Sequence, residues 1–489
     1  MKDIELNGYY LPPDFSYPIS EFLTRVFRQG DISVRLKTPV VTPDMVNSLL
    51  LHLKENRDKF LVRMPIERIV GVLNEASVLW LDRDYVYRRL AIEIIPAITG
   101  FSSETIEASI DIEMESSLSD DMWRALRSEI GNPLYLDDFQ YSDELGGYRR
   151  AFGPGLIVSF FSENIPALPH LLFMRASLVK AACLGKVASG EPAFAALYLK
   201  TIEDIDPEMA SSMAVLYWQG GNEEVEDAAF KHADAVVAFG AVETCASLSK
   251  RIPRNIKTLV HGHRMGFGII GKAKMTLAGA DGLSRQVAYD HAMFDQKACL
   301  APQVYFVETG GEVSPLEFAR MVSGAMASYE EKMPRGRLSA GEAALIHQLR
   351  GKYEIRELKG DDVRMFAPSC GTSWTVVYEK APGLFSPSVL NRFVRVCAVD
   401  DIFETLEALR PVGPFLQNAA VAVGDEREPE LIRRLGELGV ARITSPGNMP
   451  TPSMMWRHDG MATLASLLRW CDVEKKEDVT GLRNLGIKK

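Results

Sequence analysis

The sequence predicts an α/β protein: a doubly wound parallel sheet, then a second α/β domain, with a mostly helical region ahead of both. Three observations predict it. The chain has 489 residues, more than one ordinary hydrophobic core organises. From about residue 155, short apolar runs alternate with helix-period segments, the pattern of strands covered on both faces. After about residue 280 the alternation starts again.

The elements follow in order. Within residues 1–150, Met45, Val46, Leu49, Leu50 and Leu53 recur at helical spacing, as do Ile66, Ile69, Val70, Val72 and Leu73. Gly131-Asn132-Pro133 and Gly146-Gly147 punctuate the end of this region. The next stretch, 151–275, reads as a dinucleotide-binding domain. Its strands are Gly155–Phe160, Ser212–Tyr217, Ala235–Phe239 and Lys257–Val260, with a helix over Leu168–Lys180. Residues 276–450 form the second domain, with a helix over Leu283–Phe294, a strand at Gln303–Val307 and a helix at about 315–331. Strands at Ser373–Tyr378, Phe393–Val399 and Ala419–Val423 complete it, and 451–489 is a C-terminal segment.

Composition narrows the function. Apolar residues make up 47% and charged residues 25%, as in soluble globular proteins. A formal net charge of −10 speaks against a nucleic-acid groove. No uninterrupted apolar stretch is long enough to span a bilayer, and the N-terminus lacks a signal-peptide pattern, so a cytoplasmic location is expected. Six cysteines lie far apart with no C-x-x-C pair, which disfavours zinc and dithiol chemistry. Reduced thiols are expected, most of them small core residues.

One cysteine differs by its setting. Phe294-Asp295-Gln296-Lys297-Ala298-Cys299-Leu300-Ala301-Pro302-Gln303 places Cys299 on a turn between a helix and a buried strand. A nucleophile needs that position, close to backbone N–H groups and held by rigid neighbours. Lys297 is a local cation able to lower its pKa. This segment resembles the cysteine loop of the aldehyde dehydrogenase superfamily and, more narrowly, of the LuxC-type acyl-CoA reductases. Ser162-Glu163-Asn164-Ile165-Pro166-Ala167 resembles the strand-end Asn-x-Pro of that superfamily, although alone it reads as a turn before a helix. Gly371–Tyr378 and the tail, Trp456-Arg457-His458-Asp459-Gly460 with Leu467–Glu474, are similar to LuxC segments. The resemblance spans about residues 60–475.

The resemblance implies an aldehyde dehydrogenase-like fold and NAD(P)H-dependent reduction of an acyl thioester to an aldehyde through a thioester on Cys299. The substrate class is acyl-CoA or an acyl-carrier thioester, fatty acyl in LuxC relatives. It implies an oxyanion hole from Asn164 and the Cys299 amide. It assigns Lys180 to the adenosine ribose, with Lys186 nearby. The turn Phe239-Gly240-Ala241-Val242-Glu243-Thr244 goes beside the pyrophosphate, where Gly240 allows close approach. Cys183 stands where NAD-preferring relatives carry an acidic residue, which leans toward NADPH over NADH. A glutamate general base of the hydrolytic relatives is missing after Lys257–Val260, where His261-Gly262-His263 stands; a reductase needs no activated water. Either histidine is a candidate acid or base, and no metal is expected there. Gly266-Phe267-Gly268-Ile269-Ile270-Gly271 matches G-x-G-x-x-G but lacks the acidic partner and the helix that would make it a dinucleotide fingerprint. A homo-oligomer and an acyl-activating partner enzyme are further implications. A short-chain acylating aldehyde dehydrogenase, an acyl-phosphate reductase and an inactive scaffold are the alternatives.

Overall fold

A computed structural model describes residues 2–380 and 385–474; the remainder of the expected 451–489 segment, 475–489, lies outside the described residues. The chain opens with a three-stranded sheet that the helical periodicity does not signal. It comprises β1 (Lys2–Asn7), β2 (Phe22–Gln29) and β3 (Ile32–Pro39), in the order β1-β3-β2. Tyr10 bridges to Val215 through two backbone hydrogen bonds of 3.0 and 2.8 Å, which fastens this segment to the next domain. Five helices follow: Pro43–Lys59, Ile66–Leu81, Val86–Thr99, Ser103–Glu115 and Ser119–Ile130. The stripes read from spacing are the buried faces: Leu49, Leu50 and Leu53 in one, Ile69, Val70 and Leu73 in another.

After the hairpin β4 (Gln140–Ser142) and β5 (Gly147–Phe152) comes a parallel sheet of β6 (Leu156–Phe160), β7 (Ala182–Lys186), β8 (Met213–Leu216), β9 (Ala235–Phe239) and β10 (Lys257–His261). Its order is β10-β9-β6-β7-β8, so the chain goes one way from β6 and then the other. That reversal opens a crevice at the carboxyl ends of the strands, where α/β sheets bind ligands. The spacing does not predict β7. It follows the helix Pro169–Leu178 after three residues, and the apolar run is continuous across both. Lys180, with φ of 56°, makes the turn between them.

A second sheet contains β11 (Met265–Ile270), β12 (Pro302–Glu308), β13 (Val363–Phe366), β14 (Thr375–Glu379), β15 (Phe393–Val399), β16 (Leu416–Ala422) and β17 (Arg442–Thr444). Its order is β13-β14-β15-β12-β11-β16-β17, parallel except for β13 against β14. The G-x-G-x-x-G segment is β11 itself, buried throughout, between β12 and β16. Packing accounts for its glycines. A Cβ on Gly268 would lie 2.1 Å from the Tyr305 ring, and one on Gly266 would meet the Leu300 and Ala301 carbonyls at 2.7 Å. Finally β18 (Arg469–Val473) returns to pair with β5. Among the described residues no helix is long and apolar enough to cross a membrane.

Candidate active site

A cavity of about 560 Å³ lies where the carboxyl ends of the first sheet meet the second domain. Residues just after each strand of the first sheet line it: Asn164 after β6, Ser189 after β7, Gln219 after β8, Gly240 after β9 and Arg264 after β10. From the other side come Lys297, Cys299 and Leu300, and from the C-terminal segment Met454, Trp456 and His458.

The cysteine loop is held by an unusual backbone. Phe294, Asp295 and Gln296 have φ of 53°, 51° and 63°, three successive left-handed residues that L side chains rarely adopt. Their side chains fix the turn. Asp295 Oδ1 accepts from Arg392 Nε at 2.8 Å and Oδ2 from the Gly336 amide at 3.0 Å. Gln296 donates to the Pro302 carbonyl and accepts from the Phe393 amide, at 2.8 and 2.9 Å. Asn164 Nδ2 donates to the Lys297 carbonyl at 3.1 Å, which ties the end of β6 to the same loop. Amides have a second N–H, and that of Asn164 has no protein acceptor among the described residues.

Behind the thiol lies a charged cluster. Asp459 Oδ2 accepts from His261 Nδ1 at 2.7 Å, and Oδ1 accepts from Arg264 Nε at 2.9 Å and Gln417 Nε2 at 2.8 Å. The His458 ring stacks on His261 at 4.1 Å and on Trp456 at 4.6 Å. Burial raises the Asp459 carboxyl, but the His261 hydrogen bond and the neighbouring histidines and Arg264 outweigh it and hold it down at about 2. Burial, then His261, Arg175 and Arg264, hold His458 well below its ordinary value, so it is neutral at pH 7. Burial, then the Asp459 charge, push the Cys299 thiol up to about 12, against the pull of its own and the Leu300 amides and of Arg264. The resting thiol is therefore protonated, and to act as a nucleophile it would need a base to take its proton.

The geometry is that of a crevice at the strand ends of a doubly wound sheet, facing a thiol. A family model described as acyl-CoA reductase (LuxC) matches residues 61–470. The chain belongs to the LuxC family. A long-chain acyl-protein thioester reductase of Photorhabdus luminescens is 25% identical over 475 residues, 95% of this chain and 92% of that one. Another of Aliivibrio fischeri is 25% identical over 461 residues, 91% and 89% of the two chains. The LuxC-family chain has the aldehyde dehydrogenase fold. An oxidoreductase from Marinobacter aquaeolei superposes with a TM-score of 0.73 at 12% identity, over 95% of this chain and 97% of the other. Aldehyde dehydrogenase 21 from Physcomitrella patens gives 0.72 at 11%, over 97% and 98%. NADP-dependent glyceraldehyde-3-phosphate dehydrogenase from Bacillus halodurans gives 0.68 at 13%, over 93% and 96%.

Of the residues singled out in the sequence, the LuxC-family fold brings Cys299, Asn164, Lys186 and Gly240 to one cavity. Lys180 is not among them. Its ammonium pairs with Asp137 at 2.6 Å and it is 5% exposed, at the amino end of β7 rather than the carboxyl end. The lysine at the carboxyl end is Lys186. Glu243 is exposed on the helix Val242–Arg251 and does not line the cavity, whereas Ala241 and Thr244 do. Lys297 pairs with Glu342 at 2.8 Å, and the cation acting on Cys299 is Arg264. Asp459 is marked in the sequence only through the tail segment that contains it, and Arg264 and Arg175 carry no signal of their own.

Proposed function

We propose that this protein reduces an acyl thioester, carried by CoA or a carrier protein, to the aldehyde, with Cys299 as nucleophile and NADPH as reductant. The observation that carries the reading is Cys299 on the wall of the crevice formed at the strand ends of a doubly wound sheet, with Asn164 beside it. A nicotinamide dinucleotide fits that crevice on its own terms. The sheet reverses direction there, Gly240 closes β9 with no Cβ to obstruct approach, and Lys186 offers a cation. When bound, the cofactor supplies the hydride.

The residues of the chain do the rest. His261, its Nδ1–H committed to Asp459, leaves Nε2 as the acceptor for the Cys299 proton. The thiolate adds to the thioester carbonyl, and the bond from the acyl carbon to the carrier sulfur breaks. The proton held by His261 passes to the departing carrier thiolate. After reduction, the oxyanion of the Cys299 thiohemiacetal lies between the Cys299 amide and the free N–H of Asn164. Each such donor contributes on the order of 3 kcal/mol. Collapse releases the aldehyde and the Cys299 thiolate, which takes a proton from solvent. The apolar part of the cavity, with Ile112, Leu168, Leu171, Leu172 and Met454, suits a hydrocarbon chain, and the long-chain substrates in the relatives' names support the same class.

Intact mass spectrometry after mixing with a fatty acyl-CoA tests the reading. The expected result is one acyl adduct on the peptide containing Cys299, removed by NADPH with release of aldehyde. A Cys299→Ala variant that reduced acyl-CoA at the normal rate would overturn it.

A further inference from the structure

We propose that Glu113 and Arg175 form a polar subsite in the acyl-binding part of the cavity, one that takes a hydroxyl carried on the acyl chain, and that the substrates are hydroxyacyl thioesters; this rests on the acyl-thioester reading of the preceding section. The two side chains interrupt an apolar wall. Glu113 follows Ile112 on the helix Ser103–Glu115, and Arg175 lies one turn beyond Leu171 and Leu172 on the helix Pro169–Leu178. All five line the cavity. Glu113 is 8% exposed and Arg175 9%, a burial at which charged side chains are ordinarily paired.

Neither is in contact with a partner. Among the described residues the Arg175 guanidinium donates to no acceptor, and the charges that act on it, Glu129 and Glu113, do so through space. Its nitrogens open on the cavity rather than on packed protein. The Glu113 carboxyl accepts no hydrogen bond among those residues, and Arg175 is the charge it feels. His170 Nδ1 stands 3.9 Å from Glu113 Oε2, but its N–H is committed to the Ala167 carbonyl at 2.8 Å. Charge is therefore balanced at this end of the cavity, and hydrogen bonding is not.

That difference selects the ligand. An anion would bring a further negative charge beside Glu113 and Glu129 in a poorly solvated place. A neutral group brings none. Arg175 can only donate, and Glu113 keeps an acceptor oxygen in either protonation state. A hydroxyl accepts from the first and donates to the second. A plain hydrocarbon chain would leave both unmet, and buried polar groups left unmet are what lets a site reject the analogue that lacks a hydroxyl.

Calorimetric titration of the whole protein with S-alkyl thioethers of CoA tests the assignment without reaction at Cys299, since a thioether has no acyl carbon to attack. One series carries a plain chain, the other the same chain with a hydroxyl moved carbon by carbon. In the wild type the hydroxyl should tighten binding about ten- to a hundredfold at one position and not at carbons far from it. Arg175→Met should abolish that gain. Glu113→Met, the second variant should the first not fold, should reduce it by at least about threefold. Each result is a ratio of two affinities in one sample, so loss of folded protein does not imitate it. No gain at any position overturns the assignment. Equal weakening of plain and hydroxylated chains by Arg175→Met also overturns it, because the guanidinium would then serve the CoA arm. A carboxylate at the favoured carbon that binds more tightly than the hydroxyl overturns it in favour of an anion site. A hydroxyl preference in a protein whose Cys299 is not acylated by the matching thioester leaves this subsite standing and removes the thioester chemistry; acylation without the preference does the reverse.

Discussion

Asp459 acts on Cys299 in two opposed ways. Its charge helps to push the thiol up to about 12, and its hydrogen bond orients His261, the base in the mechanism proposed above. Asp459→Asn separates the two. Alkylation of Cys299 by iodoacetamide at pH 8 should quicken severalfold, since the Asp459 charge is one of the causes that hold the thiol up. Acylation by acyl-CoA should slow by about a hundredfold, because a positioned base is lost. In the wild type, the alkylation rate should climb about tenfold per pH unit between 7 and 10. Peptide mapping distinguishes Cys299 from the exposed Cys370. A Cys299 that alkylates at one rate in both proteins would show that the Asp459 field does not reach it. Residue by residue, the two candidates that the fold brings to one cavity, Cys299 and Asn164, are legible because each sits in a local segment with its own pattern. His261 is legible as one of two candidate histidines, but its pairing with Asp459 is not, since the two are 198 residues apart.

At the scale of elements, the helix Ser103–Glu115 carries a carboxyl in the wrong solvent. Burial raises Glu113 from its ordinary 4.5 to about 7, with Arg175 pulling the other way. The folded state therefore binds this proton more tightly than the unfolded chain. Whatever stability it lends is complete below about pH 4.5 and is lost as pH rises through about 7. Glu113→Gln should leave stability unchanged at pH 4 and raise it at pH 8 by up to about 3 kcal/mol. Calorimetric unfolding at the two pH values measures it, and equal shifts at both would sink the argument. Glu113 is invisible to periodicity, which reads apolar stripes only. The same blindness hides β7, where a buried strand continues the apolar run of a buried helix, and β11, where glycines chosen for packing imitate a phosphate loop. Helices with one wet face, such as Pro43–Lys59, are read correctly because half of the pattern is polar.

On the scale of the whole molecule, the site is closed by the chain's return. Past β17 the C-terminal segment crosses to the first sheet, lays His458 and Asp459 behind Cys299, and ends as β18 against β5. One carboxylate secures the crossing. Glu129, at the end of the helix Ser119–Ile130, accepts from the Thr463, Leu464 and Ala465 amides and the Thr463 hydroxyl, at 2.7 to 3.1 Å. Farther on, Arg149 grips Asp472 with two bonds of 2.7 and 3.1 Å. The tail pattern is readable as a family signature, but its destination depends on the register of β18 on β5, which no local feature encodes. Because charge-assisted bonds contribute about 1.5–3 kcal/mol each, Glu129→Ala frees the stretch around 463–465 and also removes a countercharge of the buried, cavity-lining Arg175. Turnover should then fall at least about tenfold through misplaced His458 and Asp459, a displacement far from the chemistry acting on the chemistry. Binding of 5′-AMP should be unchanged, and limited proteolysis should gain a cut between residues 450 and 468. Normal turnover in a protein that has gained that cut would show that the C-terminal segment does not build the site.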